Sequence, residues 1–430
     1  MRERAIDRRQ FVKAAGAGLA APFVLRNPAS LRRTPANETL GLGIIGMGIR
    51  ARNVMNGFLL NDARVRILAV CEVDGTRREH YRGEIDKHYG NADCAAYVDY
   101  GDLLARDDID AVVITTPDHW HVTQAIHAAQ AGKDVYCEKP LTHTLREGRR
   151  LIEAVAKHGT VFQTGSQQRS EYGHRFVKAV EFIRNGGIGK LLTVHVGVGD
   201  PTRICELPAE DLEPGLDWER WQGPVPARPY HSDLSPRGVH GHYPDWRAYG
   251  EYCGGYLADM GAHHFDIAQW ALDADSSGPI GVSLPRDGDR KRGATLHYAN
   301  GVDVVHGGPN GATFIGTNGM VAVDRGRLSA VPGHDFDAPA EAGAEPLAFT
   351  LPRNVSHVDD WIQCIHSRAT PICSAEIGAR TAAVCQLLNL AYRHGRSFQW
   401  DPVAWKFEGE NLPAGLMDYQ RRDAFPLPRG

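Results

Sequence analysis

Short apolar runs alternate with helix-like segments from residue 40 to residue 164. The runs are four to seven residues long and rich in apolar side chains, which is typical of buried strands. They lie at residues 42–45, 65–71, 109–115, 134–137 and 160–164. Five strands that alternate with helices predict a doubly wound α/β domain around a parallel sheet, over residues 40–162.

The pattern changes after residue 165, where period-two alternation becomes the main signal. Residues 191–198 alternate apolar and polar positions, which predicts a half-buried strand. Asn300-Gly301 and Asn318-Gly319 each join two apolar runs, a strong β-hairpin signal. We therefore expect a second, α+β domain with a largely antiparallel sheet over residues 163–402, closed by helices at 355–367 and 375–393. Residues 403–430 are expected to form an arm over a neighbouring subunit or over their own domain.

The first 30 residues are typical of a targeting signal rather than of a folded domain. Arg8-Arg9 precedes a short Ala/Gly-rich run at residues 14–25, which is too short to span a membrane. This order is typical of a twin-arginine export signal, and the alternative is a frayed amphipathic helix. The signal predicts an exported, for example periplasmic, protein that engages the twin-arginine export machinery. Residues 31–39 are expected to be a linker.

Composition excludes some classes of protein. Lys and Arg total 48 against 52 Asp and Glu, so the net charge of −4 does not favour a nucleic-acid partner. The eight cysteines show no C-x-x-C spacing, which favours buried free thiols over a disulfide framework, with a Cys205–Cys253 pair left open. Gly (47) and His (20) are in excess. The histidines gather in three segments that we expect to face one cleft: His119 with His121, His240 with His242, and His263 with His264.

The first apolar run is followed by a glycine-rich loop. Its sequence is G-x-G-x-x-A, formed by Gly46, Met47, Gly48, Ile49, Arg50 and Ala51. The first glycine permits a tight turn, and the second lets backbone N–H groups approach a pyrophosphate at a helix N-terminus. Glu72 lies 24 residues after Gly48, where an acid would bind the ribose hydroxyls of NAD. Arg77 and Arg78 lie close by and would suit the phosphate of NADP instead.

Polar segments follow two further strands. One runs through Thr116, Pro117, Asp118, His119, Trp120 and His121, and a helix is expected from residue 122. The other is Glu138-Lys139-Pro140. Because ligands of open α/β sheets bind at the carboxyl ends of the strands, we expect both loops to face a bound molecule.

A third candidate lies in the second domain, at residues 254–270. Asp259, His263 and Asp266 fall at i, i+4 and i+7, and would share one face of a helix. Asp259 would then raise the pKa of His263 and orient its ring. The same spacing suits metal ligands. The third alternative is a structural helix in which Asp259 is a cap and His263 is a core residue.

Taken together these residues resemble the Gfo/Idh/MocA family of oxidoreductases over residues 40–402. The resemblance rests on the loop at Gly46, on Glu138-Lys139-Pro140, on residues 254–263, and on the closing helices with residues 354–360 and Arg368. It implies a Rossmann domain followed by a domain with a large open sheet, and a cofactor that meets a sugar or cyclitol between them. The twin arginine and residues 164–169 resemble exported members of the family.

The resemblance also implies roles for single residues. Lys139, Asp259 and His263 would be catalytic, with His263 as the base and Asp259 as its orienting acid. The cofactor would be contacted by Gly46, Met47, Gly48, Ile49, Glu72, Thr116, Pro117, His119, His121, Glu138 and Lys139. The substrate would be contacted by Gln168, Arg169, His242, Tyr243, Trp246, Arg247 and His264. No metal is implied.

Export constrains the reaction, since no pool of free NAD is available outside the cytoplasm. We therefore expect tightly bound NAD, or NADP, that is regenerated in place during oxidation of a sugar, glycoside or cyclitol. The alternative is a redox-neutral glycoside hydrolase that oxidises, eliminates and reduces. The non-enzyme alternative is an exported protein that binds carbohydrate without catalysis. A metal-dependent hydrolase is less favoured, because it would leave the first domain without a role. A homo-oligomer is expected.

Overall fold

The computed structural model of the chain describes residues 39–338, 347–353 and 356–430. The predicted export signal, nearly all of the predicted linker and residues 354–355 lie outside these ranges. Within them, none of the helices combines the length and the apolar character that a membrane crossing requires.

The first domain is built on a parallel sheet of six strands in the order β3-β2-β1-β4-β5-β6. The strands are β1 (Leu40–Ile45), β2 (Val65–Cys71), β3 (Ala95–Tyr97), β4 (Ala111–Ile114), β5 (Asp134–Cys137) and β6 (Phe162–Thr164). The predicted doubly wound sheet is confirmed, with β3 as an additional strand. Only three residues long and half-buried, β3 lacks the apolar run that identified the others. The strand order reverses between β1 and β4, which creates a crevice beyond their carboxyl ends.

Helices cover the sheet and then lead into the second domain. They are α1 (Ile49–Val54, continued by a π-helical turn), α2 (Gly75–Tyr89), α3 (Tyr100–Leu104), α4 (Asp118–Gln130), α5 (Leu145–His158), α6 (Arg175–Arg184), α7 (Trp218–Gln222), α8 (Gly255–Ala271), α9 (His357–Ser367) and α10 (Ala375–His394). Their ends follow local chemistry: α5 begins with a capping box between Thr144 and Glu147 and ends at Gly159, which is left-handed.

The second domain contains an eight-stranded sheet. Its strands are β7 (Leu191–Gly197), β8 (Gly281–Ser283), β9 (Thr295–His297), β10 (Asp303–Gly316), β11 (Met320–Val323), β12 (Leu328–Val331), β13 (Phe398–Asp401) and β14 (Lys406–Glu408). Both predicted hairpins are present, because Asp303 pairs with His297 and Ile315 pairs with Met320. The two predicted strands between them form one long strand, β10. Both the first and the last residues of β10 pair with β7, since Val194 is the register partner of Val304 and also of Phe314. Strand β7 therefore lies between these two parts of β10.

The two domains share a hydrophobic core. Helix α10 contacts α5 of the first domain and α8 of the second, and one buried cluster joins residues of both sheets. All eight cysteines are free, which includes Cys205 and Cys253. The last residues return over their own chain: Met417 O accepts a hydrogen bond from Arg146 N, and Arg429 O accepts one from the side chain of Gln130.

Histidines buried in the second domain predict a loss of stability in mild acid. Burial lowers the pKa of His264, His306 and His357 to about 4. In the unfolded chain these groups bind protons near pH 6.5, so the free energy of unfolding falls as the pH drops from 7 to 5, by about 1.4 kcal/mol per pH unit for each fully neutral histidine. Urea unfolding at several pH values measures this slope. The His306→Gln variant should show a slope smaller by one proton, and a flat profile in the wild type would contradict the prediction.

Candidate active site

Two adjoining cavities lie beyond the carboxyl ends of β1 and β4. The first, here called the glycine-loop cavity, measures 280 Å³ and is lined by Gly46, Gly48, Glu72 and the Thr116-Pro117 turn, among others. The second, here called the lysine cavity, measures 200 Å³ and is lined by Lys139, Asp259 and His263, among others. Five residues line both: Arg50, Thr115, Thr116, Trp246 and Arg247. The predicted cleft is thus a pair of connected compartments.

The glycine loop leaves room for a ligand in the first compartment. Gly46 has a φ of +89°, and a Cβ at this position would lie 2.7 Å from the backbone nitrogen of Thr116. A Cβ at Gly48 would meet no atom within 4 Å, because this residue borders open space. The first position therefore needs glycine for the turn, and the second allows the close approach of a bound group.

Glu72 is held at the end of β2 by backbone hydrogen bonds. Its Oε2 accepts from Met47 N (2.7 Å) and its Oε1 accepts from Asp74 N (3.0 Å). The carboxylate thus lies beside the glycine loop and lines the cavity. Arg77 and Arg78 are both engaged elsewhere: Arg77 donates to Gly238 O and Arg78 donates to Glu72 O.

An ion pair joins the two domains in the lysine cavity. Lys139 follows β5 and Asp259 lies in α8, and Lys139 Nζ is 2.8 Å from Asp259 Oδ1 and 2.9 Å from Asp259 O. Arg247 adds a second cation, 3.8 Å from the same carboxylate oxygen. Burial opposes the ionisation of Asp259, but Lys139 and Arg247 outweigh it and lower its pKa.

His263 is on the helix face that the spacing predicted, but its electrostatics are the reverse of the prediction. The side chain is only 3% exposed and no hydrogen bond joins it to Asp259. Burial, followed by the positive charges of Lys139 and Arg325, holds its pKa well below 6.5. The expected rise of this pKa was wrong, because Asp259 is turned toward Lys139. The ring is neutral at physiological pH, and its Nδ1 has no hydrogen-bond partner among the described residues.

Glu138 forms a charged cluster at the border of the two cavities. Its Oε1 lies 2.7 Å from Arg50 and 3.0 Å from the side-chain nitrogen of Gln167. Burial opposes its ionisation, but Arg50 outweighs it and lowers the pKa of Glu138. Asp118 lines the lysine cavity, and burial raises its pKa. Arg50 and Gln167 were missed by sequence reasoning, which took the first as part of the glycine loop only.

The segment after β4 is helical earlier than predicted. Helix α4 begins at Asp118 rather than at residue 122, so His119 and His121 belong to its first turn. His121 lines the lysine cavity and its ring nitrogens lie 2.9 Å from Pro140 O and 2.8 Å from Thr116 O. His119 is fully buried against Trp221 O and lines neither cavity. His121 therefore ties the two loops together, whereas His119 packs below them.

Three predicted substrate contacts lie beneath the lysine cavity rather than in its wall. Arg169 is 1% exposed and binds Asp266 and Asp275. Gln168 donates to His263 O at 3.1 Å and is 3.4 Å from His264 Nδ1. The pairing of Asp266 with Arg169 also removes it from the set with Asp259 and His263. In the described ranges no group of three or more His, Cys, Asp or Glu side chains could hold a metal ion.

Of the remaining predicted substrate contacts, some line the lysine cavity and one does not. Tyr243, Trp246 and Arg247 line the lysine cavity, and the Arg247 guanidinium lies 4.2 Å from the centre of the Trp246 ring. His242 lines neither cavity. Arg325 lines the lysine cavity and was not identified from the sequence, since it lies in a hairpin turn with no recognisable motif.

Both domains match known protein families. Residues 40–166 match the family model described as "Oxidoreductase family, NAD-binding Rossmann fold", and residues 202–427 match the model described as "Oxidoreductase family, C-terminal alpha/beta domain".

Similar proteins include curated relatives and solved structures. Inositol 2-dehydrogenase of Salmonella typhimurium is 34% identical over 158 residues, which are 36% of this chain and 45% of that enzyme. A glycosyl hydrolase family 109 protein of Shewanella putrefaciens is 28% identical over 211 residues, 44% of each chain. The chain thus spans less than half the length of these relatives. The structure of the WlbA dehydrogenase from Bordetella pertussis with NADH and UDP-GlcNAcA covers 84% of this chain and 99% of that one, with 20% identity and a TM-score of 0.58, which establishes the fold.

We predict that replacement of Arg169 causes a large loss of stability. In the Arg169→Met variant the buried carboxylate of Asp266 loses its cation, so the free energy of unfolding should fall by about 3–5 kcal/mol. The matched control is Arg82→Met, which breaks an exposed pair with Glu79 and should cost about 0.5 kcal/mol or less. Urea unfolding at pH 7 compares them, and equal losses in the two variants would contradict the assignment.

Proposed function

The chain belongs to the Gfo/Idh/MocA family of oxidoreductases, which have an NAD-binding Rossmann domain, and on that premise we propose that it oxidises a hydroxyl-bearing carbon of a sugar, glycoside or cyclitol with NAD. One observation carries the proposal: a lysine–aspartate pair and a neutral histidine line a cavity that adjoins the glycine-loop cavity. This supplies a proton acceptor and an oxygen-binding cation next to a cofactor site.

The glycine-loop cavity suits a dinucleotide. The open position at Gly48 suits the pyrophosphate, and the carboxylate of Glu72 suits the ribose hydroxyls. Arg77 and Arg78 both donate to backbone carbonyls, and these contacts compete with the binding of a 2′-phosphate. This supports NAD over NADP. When bound, NAD supplies the hydride acceptor and donor of the reaction.

The protein's own groups have complementary roles in proton transfer. His263 is neutral and accepts the proton of the substrate hydroxyl. Lys139 donates a hydrogen bond to the same oxygen and stabilises the negative charge that develops there. Asp259 holds the Lys139 ammonium in place rather than orienting the imidazole. A neutral base requires no prior loss of a proton at physiological pH, so the site is ready for oxidation.

Two segments that cover the glycine-loop cavity support a tightly retained cofactor. Ala424 and Phe425 of the C-terminal arm line it, as do residues 234–236 of the long segment between α7 and α8. The Phe425 ring packs edge-on against Trp120 at 5.6 Å, and Arg422 binds Glu219 and Gly223 O. We also propose export through the twin-arginine route and assembly as a homo-oligomer, on the sequence arguments above.

A second function has specific support. The glycosyl hydrolase family 109 relative favours the redox-neutral alternative, in which a glycosidic bond is cleaved between oxidation and reduction steps. The same base would then remove a proton from the carbon next to the oxidised one. Free monosaccharide released without added NAD would distinguish this alternative from net oxidation.

We predict that replacement of the proposed catalytic groups lowers turnover while the cofactor remains bound. Lys139→Met and His263→Asn should each lower kcat by about 10²- to 10⁴-fold, since each removes a proton-transfer or charge-stabilising group. The measurement is turnover of a panel of sugars, glycosides and cyclitols, with bound nucleotide determined after denaturation. The control is Arg82→Met, which should retain full activity. Unchanged activity in both site variants would refute the assignment.

We predict that a variant with a weakened C-terminal arm loses the cofactor faster. The Arg422→Ala/Phe425→Ala double variant removes two side-chain contacts that hold the arm beside the glycine-loop cavity, so bound NAD should dissociate about tenfold faster or more. Nucleotide retained after repeated dilution and filtration measures this rate. Arg429→Ala, on an exposed residue of the same arm, is the matched control. A freshly purified wild type without nucleotide that works only with added NAD would contradict retention.

A further inference from the structure

The lysine cavity carries an excess of positive charge. Four cationic side chains line it, against three acids. The cations are Arg50, Lys139, Arg247 and Arg325, and the acids are Asp118, Glu138 and Asp259. Asp118 is buried, and that burial raises its pKa.

Three of the four cations already have acid partners. Arg50 pairs with Glu138 at 2.7 Å, and Lys139 pairs with Asp259 at 2.8 Å. Arg247 lies 3.8 Å from Asp259. Arg325 is the exception, because it forms no ion pair with any residue that the structure describes.

Arg325 is nevertheless held in place. It lies in the turn between β11 and β12, and its Nε donates to Gln168 Oε1 at 3.1 Å. Its guanidinium lies 4.9 Å from the centre of the Tyr172 ring. The neighbouring Asp324 uses its Oδ1 to accept from the backbone nitrogens of Gly326 and Arg327. The Nε contact and the ring fix the guanidinium plane, while its two terminal NH₂ groups form no hydrogen bond with the described residues.

A fixed guanidinium with two free terminal nitrogens matches the geometry of an oxyanion, which it binds through parallel hydrogen bonds. A neutral sugar would leave this half-buried charge without a counter-ion. We propose that the substrate is an anionic sugar, bearing a carboxylate or a sulfate ester, and that Arg325 binds the anionic group. The inference rests on the proposed function, since it names the substrate class of the same site.

The charge of Arg325 also reaches the proposed base. It contributes to the lowered pKa of both His263 and His264. An anion bound at Arg325 offsets this positive field, so the proton affinity of His263 rises once the substrate is in place. Recognition of the anion and activation of the base are then coupled through one arginine.

Equilibrium binding tests the proposal on the protein as purified, with its nucleotide. Isothermal titration would use D-glucuronate and D-galacturonate, the neutral sugars D-glucose and D-galactose, and D-glucose 6-sulfate. In the wild type at least one anionic probe should bind about 10- to 100-fold more tightly than its neutral counterpart, the range for hydrogen bonds to a charged group. The preferred probe distinguishes a carboxylate from a sulfate ester. Added salt should reduce the preference.

Two variants assign the preference to one residue. Arg325→Gln should reduce the ratio of anionic to neutral affinity by about 10-fold or more, and Arg325→Lys should restore part of it, since the point charge remains without the planar fork. Arg327→Gln is the matched control, because Arg327 lies two residues away in the same turn and is exposed.

Three results would overturn the inference: neutral sugars that bind as tightly as the anionic probes, an unchanged ratio in Arg325→Gln, or no binding of any probe. Bound NAD and oxidation of a neutral sugar under these outcomes would leave the proposed function intact. A wild type without a nucleotide site would instead overturn the proposed function.

Discussion

The ion pair between Lys139 and Asp259 is the constraint on which the rest of the site depends. The lysine follows a strand of the parallel sheet, and the aspartate lies on a helix of the other domain, so the pair forms only when the domains are docked. The pairing decides where each charge points. Burial, followed by the positive charges of Lys139 and Arg325, keeps the imidazole of His263 neutral, and the carboxylate held by the ammonium forms no hydrogen bond with it. A neutral imidazole suits the proposed role of a base. A protonated imidazole in the same place would be unable to accept a proton.

A second layer of polar contacts supports this arrangement from below. Arg169 bridges Asp266 and Asp275, and Gln168 links the backbone of His263 to the side chain of Arg325. These side chains are buried, and their partners come from α8, from the loop after it and from a hairpin of the large sheet. Helix α8 is thereby fixed in rotation as well as in position. Such support matters because a displacement of about 1 Å in a reacting group lowers the rate markedly.

The glycine-loop cavity is assembled differently from the lysine cavity, since the residues that cover it come from distant parts of the chain. Trp120 in α4 meets Phe425 of the arm, and Arg77 in α2 reaches the carbonyl of Gly238. Both contacts close over a crevice that the reversal of strand order created. A Rossmann domain alone would leave this crevice open to solvent. The cover is thus a property of the whole chain, and it supports the proposed retention of a cofactor.

Much of the fold follows from local pattern. The parallel sheet, the two Asn-Gly hairpins, the turn at Gly46 and the shared helix face of Asp259 and His263 were all predictable, because period, turn chemistry and helical spacing act over a few residues. The partner of a charged side chain is not local. That Asp259 binds Lys139 rather than His263, that Arg169 lies beneath the site, and that Arg325 enters it from a hairpin turn depends on contacts across 120, 97 and 157 residues of chain. The sequence by itself therefore determined the elements and the candidate groups. Only the tertiary structure decided which charges neutralise one another, since that depends on distances that no local pattern encodes.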